Sequence, residues 1–299
     1  MSSRYFQLQF LVLILAFTAI LGRLITLPAP LLVLWRTALA AIIMFIWLAA
    51  SRRAPLTMPR KKMLSACGVG IILGLHWMTF FGSIQLANIS VCLAGMASTS
   101  LFTALSEPLL DRRKPCWKEI LLGLMIVPGL AMVAGASWDH AAGLGCALVS
   151  AFLASLFPVL NRKLTLAGQA PQTITLYELI SACGTCLIAV LCIGDLRISQ
   201  MPSSSDWLWL LILSGVCTVW AFSFHIHLLR YFTAFTTNLA VNFEPVYGIL
   251  LAALLFQEYH ELNPMFYFGA LCIIAANILH VFIGKKTPES GAGELPLNK

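Results

Sequence analysis

Ten runs of apolar sequence, each about long enough to cross a bilayer, restrict this chain more than any other feature. Read against the charged breaks, they fall at residues 7–26, 29–50, 64–84, 89–110, 118–136, 143–163, 172–193, 206–226, 234–256 and 264–284. About 20 apolar residues cross the hydrocarbon core as a helix. Lipid offers no water to the backbone, so a spanning segment must satisfy its own N–H and C=O groups. The runs are continuously apolar, without the alternation of outer-membrane strands, so helices are expected and a barrel is not. With 60% hydrophobic and only 10% charged residues in 299, a water-soluble domain is a poor fit. The expected fold class is an all-α integral membrane protein of ten transmembrane helices.

The formal charge of +7 would suit nucleic acid if it were gathered in one soluble patch. Its distribution says otherwise. With the N-terminus inside, 16 of the 19 Lys and Arg fall in cytoplasmic segments, against Arg23 and Arg197 outside and Arg36 within a span. Such a bias sets orientation, so both termini are expected in the cytoplasm of a cell with this chain in its inner (plasma) membrane. No nucleic-acid partner is expected. The partners are the lipid bilayer and a small-molecule substrate, with the chain a monomer or homodimer. Connecting loops are short and no P-loop motif occurs, so ATP hydrolysis within the chain is not expected. The nine cysteines sit almost all in spans without a disulfide framework, and Cys183 and Cys186 read as small packing residues.

Glu244 and Pro245 lie near the middle of the ninth run. A carboxyl group at that depth costs about 2.5 kcal/mol or more to insert, so such groups face a bundle interior or an aqueous cavity. Pro245 lacks an N–H and frees a carbonyl one turn earlier. The halves echo one another: Glu107-Pro108 closes span four, and Glu244-Pro245 sits in span nine, the fourth of the second five. An odd number of spans per half reverses orientation, which predicts two inverted five-helix repeats, residues 1–136 and 143–284, followed by a disordered cytoplasmic tail, 285–299.

Leu229-Arg230-Tyr231-Phe232-Thr233-Ala234, then Asn242-Phe243-Glu244-Pro245-Val246-Tyr247-Gly248, then Gln257-Glu258 resemble the span-nine signature of EamA-type transporters in the drug/metabolite transporter superfamily. Leu75-His76-Trp77, the run from Ser83 to Val91, and Trp35-Arg36 support it in the first half; the resemblance covers roughly residues 7–284. It implies a secondary transporter with a central cavity between its halves, among relatives that export amino acids, metabolites or toxic compounds. The first half departs from the pattern, with Ser100 and Arg113 where Pro245 and Glu258 stand in the second.

The residues expected to line a substrate cavity are Arg36, His76, Trp77, Glu178, Asn242, Glu244 and Tyr247. Glu244 is the leading candidate, able to exchange a proton or a cationic substrate, or else to form a permanent ion pair. Arg36 either pairs with Glu178 or Glu244 or binds a substrate carboxylate through its planar fork. His76 reads as a proton or substrate contact, or as a buried hydrogen-bonded histidine. Trp77, Trp35, Tyr177 and Tyr247 form an aromatic wall or simple packing. Asn238 and Asn242, four apart, share a helix face that lines the cavity or joins helices. Gly70 and Gly74 permit close helix contact within one chain. Glu107 pairs with Arg112 or Arg113 at a span boundary. No metal site, cofactor or catalytic residue is expected, since His225 and His227 do not share a face.

The function expected is a secondary transporter, an exporter of a small organic metabolite, amino-acid-like compound or drug, working by alternating access. Proton coupling and uncoupled movement fit the sequence equally. Two rivals stand: an intramembrane enzyme acting on lipid, for which no G-x-S-x-G or H-E-x-x-H set appears, and a membrane sensor or scaffold, for which no soluble domain appears.

Overall fold

The computed structural model describes residues 2–125, 128–129, 132, 140–192, 201–241, 243–257, 264–265, 267–272 and 275. The expected tail, part of span five and much of span ten lie outside these residues. Every regular element among the described residues is a helix. The first half holds α1 (Ser2–Leu24), α2 (Ala29–Ser51), α3 (Arg60–Leu86), α4 (Ile89–Met96), α5 (Thr99–Asp111) and α6 (Trp117–Leu124). The second holds α7 (Ala141–Leu166), α8 (Pro171–Cys192), α9 (Ser204–Ser214), a π-helical turn (Gly215–Trp220), α10 (Ala221–Leu228), α11 (Ala234–Val241) and α12 (Glu244–Phe256).

Among the described residues seven stretches are long and apolar enough to cross a membrane, and they coincide with expected spans one to four and six to eight. Span nine is a pair of helices, α11 and α12. Pro245 supplies no N–H to the Val241 carbonyl, and α12 starts afresh with Pro245 in its first turn. Span four has a matching interruption at Ala97 and Ser98, without a proline. Hydroxyls take up the carbonyls there: Ser98 Oγ donates to Gly95 O at 2.7 Å and Thr99 Oγ1 to Met96 O at 2.6 Å. Each broken span ends on a non-glycine residue in the left-handed region, Arg112 at φ 52° and Gln257 at φ 56°.

The core sits between the halves. α3 packs on α7 and α8, α2 on α8 and α9, α4 and α5 on α7, and α1 and α4 on α12. Lipid tails are as apolar as leucine, so close approach of backbones drives such contacts. Gly70 and Gly74 show how close: a Cβ at Gly70 would stand 2.8 Å from Glu178 Cα, and one at Gly74 3.2 Å from Ala182 Cα. The G-x-x-x-G face of α3 is therefore filled by α8 of the same chain.

One end of the bundle is fastened by two side chains. Asp206 closes a capping box with Ser203 at the start of α9, and its carboxylate also accepts from Thr26 N at 2.8 Å and Thr26 Oγ1 at 2.9 Å. Gln85 accepts from Ala29 N at 2.9 Å and donates to Leu27 O at 2.8 Å. At the other end, Arg113 meets Glu107 at 3.6 Å, the boundary pair expected, and Lys163 meets Asp111 at 3.1 Å.

Candidate functional site

α2 carries Arg36 into the bundle about two turns below its start, where the side chain is fully buried. A guanidinium so placed needs partners. Its Nε donates to Thr218 Oγ1 at 2.8 Å, and Thr218 in turn donates to Leu213 O, five residues back, at 2.7 Å. Ser214 Oγ donates to the Arg36 carbonyl at 3.1 Å. Thr218 reaches Arg36 from the π-helical turn, whose extra residue per turn is a feature common at functional sites. The guanidinium lies over Trp77, 4.0 Å from its ring centroid, a cation–π contact worth about 2 kcal/mol when desolvated. Nη1 has no partner among the described residues.

Arg36 borders a central cavity of about 80 Å³, which His76, Trp77 and Glu244 also line. That is room for several waters, at about 10–15 Å³ each. Glu244 is the acidic residue of the lining, half-buried in the first turn of α12, where the helix dipole favours a negative group. Both broken spans border the same space, Met96 and Thr99 from span four and Asn238 and Val241 from span nine.

His76 is fixed from the other half. Ser150 Oγ donates to His76 O at 3.0 Å, and His76 Nδ1 lies 3.0 Å from Ser150 O and 2.8 Å from Ser150 Oγ. This set is satisfied when Nδ1 carries the proton, which leaves Nε2 as an acceptor for the cavity. Asn238 does both things expected of it, lining the cavity while its amide donates to Thr103 Oγ1 of α5 at 2.8 Å.

Of the seven expected cavity residues, Arg36, His76, Trp77 and Glu244 meet, and Asn242 lies outside the described residues. Tyr247 packs beside the cluster of Leu8, Leu11 and Val12. Glu178 is fully buried beside the Asn161 amide, with neither carboxyl oxygen in a hydrogen bond of standard geometry, and it does not line the cavity. Arg36 and Glu178 form no ion pair; the Arg36 fork is turned to Thr218 and Trp77 instead. The aromatic wall is also different. Trp35 packs edge-on to Trp207 and Tyr177 donates to Leu56 O at 3.2 Å, while Phe80, Phe157 and Phe222 join Trp77 at the cavity.

Sequence reasoning gave no cavity role to Phe157, Phe222, Thr99 or His225. The phenylalanines carry no signal that separates them from the other apolar residues of their spans. The two-residue spacing of His225 and His227 predicts different faces, and His225 lines the cavity while His227 lies on the outside of the bundle. Asp206 was legible in principle, since Ser203-Ser-Ser-Asp206 before an apolar run is a capping-box pattern. No group of three or more His, Cys, Asp or Glu that could hold a metal occurs among the described residues.

A solved structure described only as "Crystal structure of protein" shares this fold, with a TM-score of 0.68 and 17% identity over 96% of this chain and 99% of its own. No curated protein matches the sequence. The family model of EamA-like transporters matches residues 141–282. The second half of the chain is thus similar to the EamA-like transporter family, of the drug/metabolite transporter superfamily.

Proposed function

We propose that this multi-pass membrane transporter of the drug/metabolite type is a secondary carrier that exports a small zwitterionic or amphipathic organic solute. The observation that carries the reading is the placement of Arg36 and Glu244, opposite in charge, on one aromatic-walled cavity bordered by both broken spans. Discontinuous helices at a repeat interface are where secondary transporters hold cargo, because helix ends supply unpaired backbone groups and dipoles. Nη1 of Arg36 would take an anionic group, Glu244 a cationic one, and Trp77 with its neighbouring phenylalanines the apolar body between. His76 Nε2 and Asn238 would add neutral polar contacts.

In this reading ten helices form two inverted repeats with both termini in the cytoplasm, in the inner membrane, as a monomer or homodimer. The repeats rock against each other about the cavity. Glu244 exchanges a proton or a cargo cation as access alternates, so either a proton gradient or the solute gradient drives the cycle.

The test compares intracellular and medium metabolites in cells expressing the wild type, Glu244→Gln or an empty vector, with membrane levels of both proteins matched. Export is expected of the wild type alone. The solute so found goes into proteoliposomes with and without a pH gradient, and acceleration by the gradient distinguishes proton coupling from uncoupled movement. Equal export by both proteins would remove Glu244 from the mechanism.

A further inference from the structure

A second hollow, of about 350 Å³, opens on the outside of the bundle, away from the central cavity. α2 contributes Ile43 and Trp47, the start of α8 contributes Gln172, and the π turn with α10 contributes Trp220, Phe224 and His227. Trp47 and Trp220 are 37% and 40% exposed and form its two lips. Ser223 also lines it, and its hydroxyl has no hydrogen-bond partner among the described residues. From Trp220 to His227 the wall is about 10 Å long at the helical rise, the length of part of an acyl chain.

The wall is a ladder of rings running to one end of the bundle. Trp220 stacks on Phe224 at 5.1 Å, Phe224 on His227 at 6.5 Å, and His227 meets Tyr231 edge-on at 5.5 Å. The ladder ends under Arg4, whose guanidinium lies 3.5 Å from the Tyr231 ring centroid. Two further basic loops lie at the same end of the bundle. Arg230 Nη2 donates to Gln169 O at 3.4 Å, and the loop after α2, with exposed Arg52 and Arg53, is held to α8 by Thr173 Oγ1 donating to Pro55 O at 2.6 Å. The hollow is therefore apolar and aromatic along its length and polar at Ser223, Gln172 and His227, and its ring ladder runs to an end of the bundle that carries Arg4, Arg230, Arg52 and Arg53.

We infer that this groove is a binding site for one anionic phospholipid, its acyl chain against Trp47, Trp220 and Phe224 and its phosphate among Arg53, Arg230 and Arg4. Aromatic residues favour the level between headgroup and tail, and a basic cluster just beyond a span attracts negative headgroups. A hollow facing lipid is filled by lipid, and the charge at its mouth selects which one.

The full-length protein, purified in mild detergent, is offered phosphatidylglycerol and phosphatidylcholine, and native mass spectrometry counts the retained lipid. The wild type is expected to keep one phosphatidylglycerol, preferred over phosphatidylcholine about fivefold or more. Arg53→Gln with Arg230→Gln should bring that preference close to parity, and Ser223→Phe should fill the groove and release both lipids. In the unaltered protein, phosphatidylglycerol brominated on its acyl chain should quench tryptophan fluorescence more than brominated phosphatidylcholine does. Unchanged lipid selectivity in the arginine variant, equal quenching by the two brominated lipids, an equal effect of inorganic phosphate, or a lipid-free dimer through this face would each overturn the assignment.

Discussion

Glu244 and Glu178 are both acids set inside apolar helices, and the sequence offers both as cavity residues, Glu178 in span seven and Glu244 in span nine of the second half. Their surroundings separate them. Glu244 opens a new helix, faces a cavity and shares it with a guanidinium. Glu178 lies mid-face on α8, where α3 approaches so closely that Gly70 has no room for a Cβ. The first acid has space, an opposite charge and a broken backbone beside it; the second has backbone against it and one amide, Asn161. On the proposed reading, the acid that serves transport is the one whose packing leaves it something to bind.

The sharpest way to break this comparison is at Gly70. A Gly70→Val change drives a branched side chain into the Glu178 backbone, where overpacking costs about 1–3 kcal/mol and often more against a helix that cannot yield. Loss of most of the monodisperse peak in fluorescence-detected gel filtration is expected, while Gly184→Ala, with open space around its Cβ, should leave the peak intact. Next comes Glu244→Gln, which keeps shape and removes charge. It should lower solute export about tenfold or more at matched membrane levels, the equivalent of about 1.4 kcal/mol.

Arg36→Lys is expected to do less. It keeps the charge but loses the planar stack on Trp77 and the Nε bond to Thr218, so the half-saturation concentration of the cargo should rise about threefold to tenfold in flux assays. Thr218→Val removes one hydrogen bond to that guanidinium, worth about 1.5 kcal/mol or less when the partner can shift, so a smaller rise is expected, and Thr218→Ser should restore it. The smallest effect belongs to Glu178→Gln. Its new amide N–H can donate to Asn161 Oδ1, which has no partner among the described residues, so flux within about twofold of wild type and an undiminished melting temperature are expected.

Much of this architecture was legible because lipid is an unforgiving solvent. Long apolar runs between basic loops have few solutions, and the seven stretches among the described residues that are long and apolar enough to cross a membrane fall where hydropathy puts them. Arg36, His76 and Glu244 stood out for the same reason, as the basic or acidic side chains of spans two, three and nine, which hold no other Arg, Lys, His, Asp or Glu, and Trp77 stood beside one of them. The roles of Glu178 and Tyr247 were not legible, since which face of a helix meets a cavity depends on how neighbours rotate about it. The break in span four was hidden for another reason: it has no proline, its carbonyls accept from hydroxyl groups, and Ser98 and Thr99 look ordinary in sequence. The π turn was equally silent, though it brings Thr218 to Arg36.

The most direct measurement sets the two acids side by side. Wild type, Glu244→Gln and Glu178→Gln are reconstituted at equal density, and the flux of the exported solute is followed in the same vesicle preparation. The account predicts that Glu178→Gln moves solute like the wild type and that Glu244→Gln does not. Loss of flux in Glu178→Gln with Glu244→Gln unaffected would contradict it, and would move the transport site from the central cavity to the interface of α3 and α8.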